Sequence, residues 1–413
     1  MSERLMEGFP PRPDAQVTLA NWRTAPFNKW AFHHVREILP TADIPHAPTS
    51  PRDLPIKSRG FHELRVSGVN GEALDLRQTL EATLTDGLVV LHKGSIVLEH
   101  YANGMTQRSQ HILMSVSKSV LGLVAGILAG RAVLDTSRLV TDIIPEVSAT
   151  AWAGATVGQL LDMRTGVAFN EDYLAASGPI IAYRKAAGWN PLEPGERPSD
   201  LRSFFRDMQE ADGDHGGRFW YVSPNTDLLG WIIERVAGAR YADLVSELLW
   251  QPIGAAESAY ITVDRLGAPR AAGGMCTTTR DLARVGQLLV DGGAHRGRQI
   301  VPTSWIEMIM SDGDPEAWTA GNLATYYPGI AMHYRAKWYV AQFGAAAIRP
   351  RDPRPEPLRR CQKRDCDREV FLAGATPRRR THRLDRPARH SAAPHTRGGL
   401  NRVICQGARA RNR

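Results

Sequence analysis

With 413 residues, 43% of them hydrophobic and 23% charged, the chain has the composition of a folded protein with a sizeable core. Its formal net charge of +8 is unevenly spread: residues 349–413 hold 18 Arg and one Lys against six acidic residues, which leaves 1–348 at −5. A uniformly basic, nucleic-acid-binding body is thereby excluded. Four cysteines, three of them in the tail (Cys361, Cys366, Cys405), exclude a disulfide framework.

The N-terminal stretch Met1 to Pro11 contains no apolar signal segment, and the longest apolar run, around Val120 to Ala129, is too short to cross a bilayer. A soluble, cytoplasmic protein is expected. Residues 1–60 are rich in Pro and aromatic residues and read as an arm packed on the body. His33 and His34 lie there without a surrounding Cys or carboxylate pattern, so a structural use is expected and no metal site. From Gly87 to Tyr101, two β-rich runs meet at His92-Lys93-Gly94 and predict a hairpin.

Next comes Ser115-Val-Ser-Lys118, at the start of the apolar, helix-period run Val120, Leu121, Leu123, Val124, Ile127 and Leu128. Positions i and i+3 of a helix lie one turn apart on the same face, so the Ser115 hydroxyl and the Lys118 amine can meet. A helix N-terminus adds spare N–H groups and the positive end of a dipole, which favour an alkoxide or oxyanion. A serine needs a partner to take its proton, and a buried lysine can do so. A plain reading stands beside this one: Ser115 or Ser117 could simply cap a core helix.

The middle of the chain is predicted to be mostly helical. Thr156 caps a helix that stops towards Gly166, Leu228 to Ala237 and Tyr241 to Trp250 form further helices, and Gly273-Gly-Met precedes one ending at Gly292-Gly293. Tyr334 to Val340 reads as the beginning of a strand.

Taken together, Ser115-x-x-Lys118, Leu160-Leu-Asp-Met-Arg-Thr-Gly166, Phe169-Asn-Glu-Asp-Tyr173, Tyr221-Val-Ser223 with Asn225-Thr-Asp227, and Gly273-Gly-Met with Thr279-Arg-Asp281 resemble the serine β-lactamase and penicillin-recognising superfamily. The likeness is greatest to its class C-like branch, which includes nylon-oligomer hydrolases, and it covers most of residues 15–342. It implies an α/β (α+β) fold of the β-lactamase/transpeptidase type: an antiparallel sheet flanked by helices, with an inserted helical region, over residues 1–348. It also implies a serine hydrolase of small linear amides or esters that works through an acyl-enzyme, without cofactor or metal. By that resemblance Ser115 is the nucleophile, with Lys118 and Tyr221 sharing proton transfer, Tyr221 being the base toward Ser115 and then the acid toward the leaving amine. Tyr173, Trp189 and Ser223 are substrate-binding positions. His215 is the one histidine within sequence reach that competes with Tyr221. Core packing is the plain alternative for Tyr173 and Trp189. A small-molecule substrate is the expected partner, with no membrane and no specific nucleic acid; a homodimer is left open.

The chain departs from the family after Lys337-Trp-Tyr-Val340, where a His-Gly or Lys-Thr-Gly motif and its strand should supply one of two oxyanion donors. Residues 349–413 run on rich in Arg and Pro instead, and Pro353, Pro355 and Pro357 exclude a central strand. The codons of Ile348 onward, read one base later, permit Phe-Gly-His-Gly-Ile-His-Gly-Gln and then a β-rich run. We therefore read this segment as a frameshifted or disordered basic tail, irregular and outside the sheet. The competing readings are an inactive amide-binding relative and a misframed product whose tail holds polyanions.

Overall fold

The computed structural model describes residues 5–49, 51–67, 71–342, 369–374 and 403–405. Two four-stranded antiparallel sheets organise it. One carries, in spatial order, strands Val403–Cys405, Glu369–Gly374, Gly87–His92 and Ser95–Tyr101; the other carries Thr41–Ile44, Ala259–Thr262, Met275–Thr278 and Gln110–Ile112. The predicted hairpin is present. Lys93 (φ 49°) and Gly94 (φ 74°) both take the left-handed conformation that a two-residue turn needs to match the strands' twist. Helices from the 116–250 region and from 279–311 cover the sheets, and one apolar core runs through the sheets, these helices and the N-terminal arm. The arm is anchored by Trp22, fully buried, whose indole N–H donates to the Trp189 carbonyl.

The helix Val116–Gly130 lies at the centre, with Val120, Leu121, Leu123, Val124 and Ala125 all buried. Being apolar nearly all round, it can only be stable inside a core. Its glycines at 122, 126 and 130 recur every four residues, so they share one face. A Cβ on Gly122 would lie 2.2 Å from the Ala336 carbonyl oxygen, and one on Gly126 would lie 2.4–2.6 Å from the Trp305 ring. These glycines are contact points at which a turn and an indole come down onto the helix backbone.

That turn corrects one expectation. The single strand expected from Tyr334 is a hairpin, Ala331–Arg335 with Trp338–Gln342, folded at Ala336 (φ 45°) and Lys337 (φ 70°). Neither residue is a usual choice for positive φ, so the sequence carries no turn signal there. The turn is held from outside: Asp162 accepts from the Ala336 N–H and the Arg335 guanidinium, the Ser119 hydroxyl donates to the Lys337 carbonyl, and Lys337 Nζ donates to the Leu160 carbonyl.

A second expectation also changes. Two pieces of the tail stand in the sheet: Glu369–Gly374 pairs antiparallel with Gly87–His92, Glu369 opposite His92, and Val403–Cys405 pairs with it in turn. Every residue of Gly87–His92 is buried, and its ladder groups facing away from Ser95–Tyr101 need partners. The run Val370-Phe-Leu is the tail's best β-former. The prolines at 353, 355 and 357, and the stretch where the third motif was expected, lie outside the described residues.

Candidate active site

Ser115 occupies the junction between strand Gln110–Ile112 and the central helix. Met114 before it has φ 46°, a left-handed conformation uncommon without glycine, so the chain turns sharply at this point. Ser115 is the helix N-cap, yet its side chain makes no capping bond and is left to other partners. Ser117 has the structural part: its hydroxyl accepts from the Met275 N–H at 3.1 Å and ties the helix to the sheet.

Three side chains converge. Lys118 Nζ lies 3.1 Å from Ser115 Oγ, and the Tyr221 hydroxyl lies 2.8 Å from the same oxygen. Lys118 Nζ also donates to the Ala272 carbonyl at 2.6 Å and stands 5.0 Å from the centroid of the Tyr221 ring. Tyr221 comes from the segment that enters helix Pro224–Ala237; its own N–H donates to Asn322 Oδ1. The convergence therefore joins the sheet-side helix to the inserted helical region.

Burial sets the proton affinities. Lys118, 2% exposed, has its ammonium lowered to about 8 by desolvation, against a raising pull from Glu171. Desolvation, with Glu171 adding to it, raises the Tyr221 phenol well above its ordinary value. The site therefore makes a neutral amine at Lys118 far easier to reach than in a free lysine, beside a phenol that keeps its proton. A neutral Lys118 can accept the Ser115 proton, while Tyr221 has a proton to give.

The Ser115 N–H has no acceptor among the described residues and sits at the N-terminus of a fifteen-residue helix. It can serve as one oxyanion donor. The segment expected to hold the second, after Val340, falls in 343–368, outside the described residues.

A cleft of about 880 Å³, of a size that admits small molecules, opens over Ser115 and Tyr221; Phe169, Glu171, Trp220 and Tyr339 are among the residues lining it. Tyr173 lines it as well, half-exposed, and its hydroxyl donates to Glu171. Ser223 and Trp189 do not line it. Ser223 is buried, its N–H donating to Glu171, so it supports the wall from behind. Trp189 is core: its indole N–H donates to Thr262 Oγ1 at 3.1 Å and its ring meets Trp22 edge-on at 5.1 Å. A tryptophan in a loop gives no sign of which way it faces, whereas a buried indole still needs a polar partner. His215 is occupied: Nδ1 accepts from the Gly166 N–H, and Nε2 bonds the Ala153 carbonyl.

Sequence reasoning missed Glu171, Trp220, Asn322 and Tyr339. Glu171 and Trp220 adjoin the tyrosines that were singled out, so neighbouring positions could have raised them. Asn322 and Tyr339 reach the cleft through tertiary packing alone. Among the described residues no group of three or more His, Cys, Asp or Glu is placed to hold a metal ion.

Known proteins resemble this chain in sequence and in fold. The β-lactamase family model matches residues 76–350. The 6-aminohexanoate-dimer hydrolase of Paenarthrobacter ureafaciens is 36% identical over 333 residues, covering 80% of this chain and 81% of the relative. A solved structure from Bacillus anthracis, provisionally named a 6-aminohexanoate-dimer hydrolase, superposes with a TM-score of 0.73 at 25% identity, over 88% of this chain and 89% of that one. EstCE1, a hydrolase with promiscuous acyltransferase activity, shares the fold at a TM-score of 0.51 and 16% identity, over 72% and 88% of the two chains. The chain belongs to the β-lactamase family, as a serine hydrolase related to the 6-aminohexanoate-dimer hydrolases.

Proposed function

We propose that the chain hydrolyses short linear amides, or the corresponding esters, through an acyl-enzyme on Ser115, with 6-aminohexanoate-type oligomers as the substrate class. One observation carries this reading: Ser115 Oγ lies within hydrogen-bond reach of both Lys118 Nζ and the Tyr221 hydroxyl. The substrate class comes from the Paenarthrobacter relative's name and from a cleft walled by aromatic rings.

Lys118 takes the Ser115 proton as Oγ attacks the substrate carbonyl, and the Ser115 N–H steadies the oxyanion. Tyr221 then protonates the leaving nitrogen as the C–N bond breaks, and Lys118 returns its proton to the Tyr221 oxygen. For deacylation a water adds to the ester carbonyl while giving its proton to Lys118, Ser115 leaves with a proton from Tyr221, and Lys118 again returns its proton to the Tyr221 oxygen, which restores the starting state. Tyr221 is thus the acid toward the leaving group. The initial base is Lys118 instead of Tyr221, because burial pushes their proton affinities in opposite directions.

Intact-protein mass spectrometry after exposure to a p-nitrophenyl ester tests this. An acyl adduct that maps to Ser115 and is absent from Ser115→Ala is expected; an adduct on another residue overturns the assignment.

A further inference from the structure

The charged cluster behind Lys118 is not explained by substrate contact. Asp227, 2% exposed, stands in the first turn of helix Pro224–Ala237. Its Oδ1 accepts from the Ala272 N–H at 2.6 Å, and the next peptide along, through the Ala272 carbonyl, accepts from Lys118 Nζ at 2.6 Å. Its Oδ2 accepts from the Tyr183 hydroxyl at 2.5 Å and from the Arg270 guanidinium. Arg270 in turn packs over the Tyr183 ring at 4.1 Å and the Trp189 ring at 5.0 Å.

We propose that Asp227, braced by Arg270 and Tyr183, is a positioning residue for Ser115 chemistry, acting on Lys118 through the Ala272 backbone. This rests on the proposed roles of Ser115 and Lys118. A neutral amine has two N–H bonds and one lone pair. Committing one N–H to the Ala272 carbonyl restricts where the lone pair points, and the Ser115 hydroxyl, its oxygen 3.1 Å away, can donate its proton to it. The carbonyl can do this only if its segment does not swing. Two features stop it: Asp227 holds the Ala272 N–H, and the Arg270 carbonyl accepts from both Gly273 and Gly274 N–H groups, closing a tight turn. A Cβ on Gly274 would lie 2.1 Å from Thr262 Oγ1, so the turn sits directly on the sheet. The Gly273-Gly274 pair and Asp227, seen in the sequence only as landmarks, are thereby given a shared task.

The charges of the cluster reach Lys118 too. The groups acting on it or beside it are Glu171 and Asp227, which favour its ammonium, Arg270, which opposes it, the Tyr221 phenol, and the buried Lys337 behind the helix. Neutralising Asp227 should therefore lower the pH at which Lys118 becomes a base, and removing Arg270 should raise it.

The test is the rate of covalent labelling of the full chain by a fluorophosphonate, in which Ser115 Oγ displaces fluoride from phosphorus, measured against pH. Asp227→Asn is expected to lower the limiting labelling rate roughly tenfold or more, with the probe's half-saturation concentration within about twofold of the parent, and to move the rising limb to lower pH. Arg270→Met is expected to move that limb to higher pH. Tyr183→Phe, which keeps the ion pair, should slow labelling at unchanged half-saturation. A folded Asp227→Asn protein that labels like the parent, or two variants that slow without moving the limb, would overturn the proposal. If Asp227→Asn does not fold, parental labelling of Tyr183→Phe overturns it. A parent that fails to label at Ser115 sinks the proposed function itself, and this inference with it.

Discussion

The Tyr221 hydroxyl lies 2.8 Å from the Ser115 hydroxyl although 106 positions of sequence separate them. Ser115 is fixed to the sheet through its helix, whereas Tyr221 is fixed to the inserted helical region and to Asn322. The proposed nucleophile and its proposed acid are thus brought together by the packing of two parts of the molecule. Changes that loosen that packing will reach the chemistry before they unfold the chain.

Ser115→Ala is expected to remove acylation altogether while leaving the fold intact. The hydroxyl caps nothing, so its loss costs the helix no bond of its own. Retention of most of the parental rate, measured by ester turnover, would assign the chemistry elsewhere.

Tyr221→Phe keeps the ring packing and removes one hydroxyl. Loss of a general acid typically costs about 10²–10⁴ in kcat, and KM should change little, because the lost interaction belongs to the transition state. His215→Ala should leave kcat near parental, since both ring nitrogens are bound to backbone groups of residues 153 and 166. The reverse pattern in kinetics would exchange the two assignments.

Acylation should rise with pH, be half-maximal near 8 and level off about one unit above. Burial lowers Lys118 to about 8, and only its neutral form can take the Ser115 proton. Below that point the competent fraction falls about tenfold per pH unit. Tyr221 is held well above its ordinary value, so its proton remains available across the same range. Pre-steady-state burst rates from pH 6 to 9.5 check this, and a flat profile would remove Lys118 as the base.

How much of this was legible from sequence follows from how local each signal is. Ser115 and Lys118 are one helical turn apart, and the hairpin at Lys93-Gly94 and the capping box at Thr156–Gln159 are written in adjacent residues. Tyr221 came from a motif and its spacing. Trp189 reads from the sequence equally as pocket wall or as core, because its facing is decided by Thr262, Trp22 and Gly273, none of them near it in sequence. The turn at Ala336-Lys337 was invisible for a similar reason: Asp162, Ser119 and Leu160 hold two residues in a conformation they do not choose for themselves. The pairing of Glu369–Gly374 with Gly87–His92 was hidden by the surrounding Arg and Pro, which dominate any composition-based reading of the tail.

Gly122→Ala tests that turn from the opposite side. Helix propensity alone favours Ala over Gly by about 1 kcal/mol. Here the added Cβ would lie 2.2 Å from the Ala336 carbonyl oxygen and 3.2 Å from the Lys337 Cβ, and the hairpin cannot retreat without breaking its bonds to Asp162 and Ser119. Overpacking typically costs about 1–3 kcal/mol, so the steric effect should win and the melting temperature should fall. Activity should fall with it, because the same hairpin presents Tyr339 to the cleft. A stabilised variant would mean that the turn is not seated against the helix.

The tail carries the largest expected effect. Strand Glu369–Gly374 shields the edge of Gly87–His92, so a chain ending at Gln342 should melt lower than the full chain and aggregate through that edge. The same tail contains no His-Gly or Lys-Thr-Gly motif to follow Lys337-Trp-Tyr-Val340, so the motif to which the resemblance assigns the second oxyanion donor is absent from the sequence. Loss of one such donor typically costs about 10²–10³ in kcat. A version with the reading frame shifted after Ala347 regains a His-Gly motif and a β-rich run in its place. It should therefore cleave a short linear amide faster than the present chain by about that factor. It should also melt higher, because a β-rich run in that frame would add a regular strand to the sheet. Amide turnover and thermal melts of the three forms, side by side, decide the matter: equal rates and equal melting temperatures for the present and restored chains would mean that residues 349–413 are a working part of the protein and that the frameshift reading is wrong.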